Sequence, residues 1–207
     1  MKLVIGDKNT SSWSMRPWVL MKHFGIPFEE TLIRLGQSDT KARILEVSPS
    51  GKVPCLVTDD GASVWESLAI METLAERFPD NAMWPRDAAA RARARSISAE
   101  MHASFADLRQ SMPMEIHTHA PGKGASEGAL ANIARIEALW ADCLAKSGGP
   151  FLFGEFGIAD AMFAPVVMRF NSYEPSLDDE SRAYAQRVTA LPAVAAWIED
   201  AKQEIAQ

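Results

Sequence analysis

The stretch Val53-Pro54-Cys55-Leu56-Val57-Thr58-Asp59-Asp60-Gly61-Ala62-Ser63-Val64-Trp65-Glu66-Ser67 decides how the first part of this chain folds. Pro54–Thr58 and Ser63–Trp65 read as two short strands on either side of Asp59-Asp60-Gly61, a strong hairpin-turn signal. Proline has no N–H to give to a ladder, so Val53-Pro54 marks the entry to the first strand rather than a place within it. A cis bond there would turn the chain sharply and leave the N–H and C=O of Val53 free to pair with an extended ligand backbone. Only about 5–6% of X-Pro bonds are cis, so the sequence leaves the isomer open. Trp65-Glu66-Ser67 then opens a helix: over Glu66–Phe78, the residues Leu68, Met71, Leu74, Ala75 and Phe78 recur on one stripe. Gly51-Lys52 just upstream is not a phosphate loop, because Glu46 stands where the first glycine of that motif belongs.

Working back from the hairpin, the chain alternates between strand and helix. Lys2–Ile5 reads as a strand, and Arg16–Phe24 as a helix with Pro17 in its first turn and Gly25 as its stop. Phe28–Leu35 reads as a second strand and Lys41–Val47 as a short helix. The order β-α-β-α-β-β-α predicts an α/β domain over residues 1–80, a parallel βαβ unit joined to an antiparallel pair in one mixed four-stranded sheet. Working forward, Pro79 ends the third helix and residues 81–87 read as a linker. Residues 88–207 read as all-helical: Asp87 to about His117, Ser126 to about Lys146, Ile158–Phe170, about Leu177–Val188, and Pro192–Ile205. The breaks between the first three are Pro121-Gly122-Lys123-Gly124 and Gly148-Gly149-Pro150.

Composition excludes several classes of function. With 207 residues, 47% hydrophobic and 23% charged, the chain has the make-up of a globular protein with a buried core. Its net charge is −6 and no Lys/Arg stripe with interleaved aromatics occurs, so no nucleic-acid partner is expected. No apolar run reaches the ~20 residues of a membrane span, so no membrane partner is expected either. Cys55 and Cys143 lie far apart without a CxxC, which suits a reducing compartment. One lysine and three apolar residues at the start fall short of a signal-peptide core, and a cytoplasmic location is expected.

Chemistry is expected at Asn9-Thr-Ser-Ser-Trp-Ser-Met-Arg-Pro-Trp18, where a strand gives way to a helix. A helix N-terminus presents unpaired N–H groups and the positive end of a dipole, so an anion is favoured there. Glu66-Ser67 has two readings. It is either a plain helix start or a grip on an amino-acid head group, with Glu66 accepting the amine and Ser67 donating to the carboxylate.

Taken together, the element order, the Val-Pro before the third strand, Glu-Ser at the third helix and the helical second half resemble the cytosolic glutathione transferases. Ser11-Ser12-Trp13-Ser14-Met15-Arg16 resembles the serine-first motif of the zeta class, Ser-Ser-Cys-x-x-Arg, with Trp13 in the cysteine's place. The resemblance spans the chain and implies a thioredoxin-like first domain, a helical electrophile-binding second domain, a homodimer, and glutathione as co-substrate with no metal. It also implies a serine that holds the glutathione sulfur as thiolate. The zeta pattern, five residues before the arginine, selects Ser11; a theta-like pattern, four before, selects Ser12. By the same resemblance Val53 and Pro54 meet the cysteinyl backbone, Glu66 and Ser67 the γ-glutamyl end, and Lys52 the glycyl end. The zeta glutamine aligns with Asp39, and thiol redox chemistry is excluded at Trp13.

Trp13, Met15, Met101, Phe105, Met112 and Met114 are expected to line the electrophile pocket, with plain core as the competing reading. Arg16 is expected to be a structural or surface charge, and the arginines at 86, 91, 93 and 95 a solvated or subunit-facing surface. His117-x-His119 lacks a third ligand. Gly154–Asp160 resembles the family's helix-capping signature with Gly157 in place of Ser or Thr. Two functions follow from the resemblance: an enzyme that conjugates small electrophiles or isomerises maleylacetoacetate-type acids, or a non-catalytic binder of glutathione or apolar ligands. Trp13 and Asp39 stand against the isomerase.

Overall fold

The computed structural model describes residues 1–204. Its first part consists of β1 (Lys2–Ile5), α1 (Ser12–His23), β2 (Glu29–Leu32), α2 (Thr40–Leu45), β3 (Cys55–Val57), β4 (Ser63–Trp65) and α3 (Ser67–Arg77). The strands form one sheet in the order β2-β1-β3-β4. β1 is parallel to β2, with Lys2 opposite Glu29, and antiparallel to β3, which pairs antiparallel with β4. This is the mixed four-stranded sheet that the hairpin and the βαβ order predict. Leu3, Val4 and Ile5 are all fully covered, because β1 is flanked by strands and its alternate side chains enter cores on opposite faces. Leu3 and Ile5 pack with Met15, Val19, Ile70, Met71 and Leu74 of α1 and α3, whereas Val4 packs with Ile33, Cys55 and Ile44 of α2.

The second part is helical: α4 (Ala88–Ala103), α5 (Ala106–Ser111), α6 (Glu127–Ser147), α7 (Ile158–Tyr173), α8 (Asp179–Thr189) and α9 (Pro192–Gln203). Ile205, the expected end of the last helix, lies outside the described residues. A short 3-10 turn at Pro79–Asn81 and the Asp87 cap, which accepts from the Ala90 N–H at 2.8 Å, bracket the segment between the two parts. No helix among the described residues is long and apolar enough to cross a membrane.

Two helices differ from the sequence reading. α1 starts at Ser12, so Pro17 sits inside it rather than in its first turn. The Met15 N–H already donates to the Ser11 carbonyl (3.1 Å), which closes a turn before the proline is reached. The single helix expected from Asp87 to His117 is two helices and an irregular segment. Ser104 is extended and Phe105 has a φ of 62°, which breaks the i→i−4 ladder and places the Phe105 ring in the core at 5% exposure. Pro113 bars helical geometry at Met112, where φ is −128° and ψ is 72°. Tertiary packing has here overruled a strong local helix preference.

α7 threads the centre of the helical part and has no side chain at its Gly157 cap. A Cβ at that position would lie 2.7 Å from the Met83 carbonyl, which takes the Ile158 N–H instead (3.0 Å). Asp160 accepts from the Gly157 N–H (3.0 Å), the Leu152 N–H (3.0 Å) and the Tyr184 hydroxyl (2.8 Å). Burial raises its carboxyl to about 6, against the downward pull of those donors. A folded-state pKa raised above the unfolded value contributes stability that is fully present below about 4 and is lost as pH rises through 6. Thermal melts of wild type and Asp160→Asn should therefore show the wild type losing stability relative to the variant between about pH 4 and 7. A constant difference between the two would contradict the buried titration.

Candidate active site

The N-terminus of α1 is built by the loop that leaves β1. The Asp7 carbonyl accepts from the N–H groups of Thr10 (3.2 Å) and Ser11 (2.8 Å), which turns the chain into the helix with Ser11 as its cap. The Ser11 hydroxyl donates to Ser14 Oγ at 2.7 Å, and Ser14 Oγ also accepts from the Gly6 N–H at 3.1 Å. Ser14 is fully covered, so it fixes the orientation of Ser11 from beneath. Only its position one helical turn beyond Ser11 hinted at that role. The Ser12 hydroxyl has no partner among the described residues and faces a cavity.

Two cavities open beside this helix end, lined by its neighbours Thr10, Ser12 and Trp13, while the buried Ser11 lines neither. One, of about 250 Å³, is lined by Trp13, Ser50, Lys52, Val53, Pro54, Glu66, His102 and Arg109. The structure thus brings Lys52, Val53, Pro54 and Glu66 together at one cavity. Val53-Pro54 is cis, and among the described residues the N–H and C=O of Val53 have no hydrogen-bond partner. Glu66 has a φ of 68°, an unusual backbone for a side chain of this kind and one that clusters at ligand clamps. Ser67 is fully covered and does not line the cavity, yet its Oγ is buried without a partner. It shares this with the buried hydroxyls of Ser98 and Ser181, so the missing partner by itself does not mark a ligand site. His102, from α4, is new to the site: its Nε2 lies 3.6 Å from Glu66 Oε2 and its ring packs edge-on to Trp13 at 5.1 Å. Its Nδ1 is also buried without a partner.

The other cavity, of about 360 Å³, is lined by Thr10, Ser12, Ala106, Arg109, Gln110, Pro113, Met114, Glu115 and Arg169. Arg109 lines both cavities. The expected apolar wall is largely absent. Met15, Met101 and Met112 are fully covered and Phe105 nearly so; all four belong to the hydrophobic core and line neither cavity. A stripe at helical spacing shows which residues share a face, not whether the face meets core or cleft. Trp13 and Met114 are the members of that set that reach a cavity.

Arginines take the place of the methionines. Arg16 is 1% exposed, so it is not a surface charge. Its Nε donates to the Met162 carbonyl (3.0 Å) and its Nη1 to the Ser12 carbonyl (2.9 Å). Arg169 is 4% exposed, gives Nη1 to the Pro165 carbonyl (2.9 Å) and leaves Nε buried without a partner. None of Arg16, Arg109 and Arg169 has a carboxylate partner among the described residues. Burial lowers the Arg16 guanidinium well below its usual range, and the charges of Arg169 and Arg109 add to the effect. Burial, then Arg109, brings Arg169 down to about 10. Trp13 eases the crowding: its ring lies under Arg16 at 4.1 Å and Arg109 at 4.5 Å, and a π face attracts cations.

The remaining candidates lie elsewhere. Asp39 is the exposed cap residue of α2 and lines neither cavity. His119 faces Glu174 at 3.5 Å, while the His117 backbone donates to Asn9 Oδ1 at 3.1 Å. Arg93 pairs with Asp142 and Arg95 with Glu72 on the surface.

Comparison with known proteins agrees with this architecture. Residues 10–77 match the glutathione S-transferase N-terminal domain model and residues 88–200 the corresponding C-terminal domain model. A probable maleylacetoacetate isomerase of Caenorhabditis elegans is 27% identical over 175 residues, 82% of this chain and 78% of that protein. A crystal structure of a glutathione transferase homologue from Burkholderia with bound glutathione superposes with a TM-score of 0.75 at 24% identity, covering 98% of both chains. The holo structure of a bacterial zeta-class maleyl pyruvate isomerase superposes with a TM-score of 0.73 at 25% identity, covering 95% of this chain and 96% of that one. With a thioredoxin-like sheet domain, a helical second half and both family models matched in sequence order, the chain belongs to the glutathione S-transferase family.

Proposed function

We propose that this protein uses glutathione as a thiolate nucleophile, held by the Ser11 hydroxyl, against a small electrophile that carries a carboxylate. One observation carries the reading: Arg109 lines both cavities, so a peptide-binding cleft and a cationic cleft share a border beside the N-terminus of α1. The residues present fit glutathione. The Glu66 carboxylate would accept its α-ammonium, and the first N–H groups of α3, that of Ser67 among them, would hold its α-carboxylate. The free N–H and C=O of Val53 suit the cysteinyl residue, and Lys52 the glycyl carboxylate. Glutathione supplies the sulfur nucleophile; the protein binds it, orients it and stabilises its anion. Ser11 remains neutral and donates, the thiol proton passes to solvent, and no histidine base is required.

The electrophile pocket is the second cavity, with Arg109 and Arg169 facing the carboxylate. That preference favours glutathione-dependent cis–trans isomerisation of a maleyl-type acid over conjugation of neutral aryl halides. The presence of a probable maleylacetoacetate isomerase and a maleyl pyruvate isomerase among the similar proteins supports the same choice. A homodimer and a cytosolic setting go with this reading; two buried free thiols, Cys55 and Cys143, suit the latter. Calorimetric titration tests the peptide grip. Glu66→Gln should weaken glutathione binding by about tenfold or more, as loss of a charge-assisted bond of roughly 1.5–3 kcal/mol requires, with turnover at saturation preserved. Unchanged affinity would remove Glu66 from the site.

A further inference from the structure

The loop that presents Ser11 is tied to the far end of the chain. The Lys8 N–H donates to both carboxylate oxygens of Glu204 (3.0 and 2.9 Å), and the Lys8 carbonyl accepts from Trp197 Nε1 (2.9 Å). The Lys8 ammonium is buried, pairing with Asp200 of α9 at 2.6 Å and Glu30 of β2 at 2.9 Å. It also lies over the rings of Trp18 (4.8 Å) and Trp197 (5.7 Å), and Trp18 Nε1 donates to Glu30 (2.6 Å). One residue earlier, Asp7 accepts from the Leu35 N–H (2.7 Å) and Arg34 (3.1 Å), and Arg34 stands 3.7 Å from Glu204. The Asp7 carbonyl then receives the Ser11 N–H. A surface loop would satisfy these backbone groups with water. Here Trp197 of α9 and Glu204 after it satisfy the backbone of Lys8, while β2 and its following loop hold the side chains of Asp7 and Lys8.

We propose that α9 is a positioning device for the thiol-activating loop, and that Lys8, Asp200 and Glu204 are positioning residues. They hold Ser11 and the first N–H groups of α1 where the glutathione sulfur lies. The inference rests on the Ser11 reading above and adds an anchor for that loop on α9. A buried lysine between two carboxylates is weak as a source of stability but fixes geometry. Lys52, Val53, Glu66 and Ser67 share no hydrogen bond with this network, so glutathione affinity and thiol activation are separable. The side chains around the helix end, Arg16, Arg109, His102 and Glu66, make no hydrogen bond or ion pair with α9 among the described residues.

The test compares wild type, Ser11→Ala and the isosteric double variant Asp200→Asn/Glu204→Gln in the full chain. Measured are amide exchange over residues 7–11, the pH midpoint of bound-thiolate absorbance, kcat, and the Kd of S-methylglutathione, which has no titrating thiol. In the double variant, exchange should rise about tenfold or more. The midpoint should rise by about half to one unit, with kcat falling roughly 3–10-fold and Kd staying within about twofold. Unchanged exchange overturns the proposal. Faster exchange with an unmoved midpoint and kcat overturns it equally, leaving α9 a purely structural prop. Failure of the Ser11 reading shows separately, as a midpoint that Ser11→Ala does not move; the double variant still shifts it through the N–H groups of α1 if α9 positions the loop.

Discussion

Ser11→Ala should raise the pKa of bound glutathione by about one to two units and reduce turnover at neutral pH roughly tenfold, with little change in glutathione affinity. A free thiol of pKa about 8.5 is only ~3% ionised at pH 7. A hydrogen bond to a charged acceptor contributes roughly 1.5–3 kcal/mol, and 1.36 kcal/mol is one pKa unit, so a single hydroxyl raises the ionised fraction at pH 7 from ~3% to roughly 30–80%, and the dipole of α1 adds to it. In the ligand-free protein that hydroxyl donates to Ser14, which keeps its bond from Gly6 when Ser11 turns to a stronger acceptor. Ser12→Ala is the control. Its hydroxyl faces the second cavity, and its loss should affect the second substrate rather than the thiol. If Ser12→Ala moves the thiol pKa and Ser11→Ala does not, the two serines exchange roles.

Arg109→Met should raise KM for a carboxylate-bearing electrophile by about 10–100-fold while leaving a neutral aryl halide within a few-fold, measured as paired steady-state kinetics. Arg169→Met should do the same to the acid and also raise the melting temperature. The second sign follows from the first observation. Arg169 is buried, its Nε is unpartnered, and no carboxylate among the described residues neutralises it or its neighbours Arg16 and Arg109. Burying an unpaired charge is expensive, and replacing it with an apolar side chain of similar volume relieves the penalty. The proposed carboxylate-bearing substrate would supply the missing counter-charge. Equal effects on acid and neutral electrophiles, or a loss of stability in Arg169→Met, would show that the cluster only braces the helices.

How far the sequence leads is visible in particular residues. Asp59-Asp60-Gly61 locates the hairpin because left-handed turns need glycine, and Gly61 has a φ of 84°. β4 runs over the expected Ser63–Trp65. That Lys52, Val53, Pro54 and Glu66 meet at one cavity is legible because they flank one short hairpin. The arginine cluster, of which Arg109 and Arg169 wall the second cavity while Arg16 lies buried behind them, is not legible. Arg16, Arg109 and Arg169 come from α1, α5 and α7, and each occupies an ordinary helical position until the fold brings the three together. His102 is hidden for the same reason. The methionine stripe fails as a pocket because periodicity fixes a face and leaves open what covers it. Phe105 fails as helix interior because a buried ring outweighs local propensity.

The most direct measurement is the pH titration of thiolate absorbance for glutathione bound to the wild-type protein. A midpoint about one to two units below that of the free thiol is expected, moving back toward about 8.5 in Ser11→Ala. A midpoint equal to that of free glutathione, in a protein that binds the peptide, would contradict thiolate stabilisation at the N-terminus of α1.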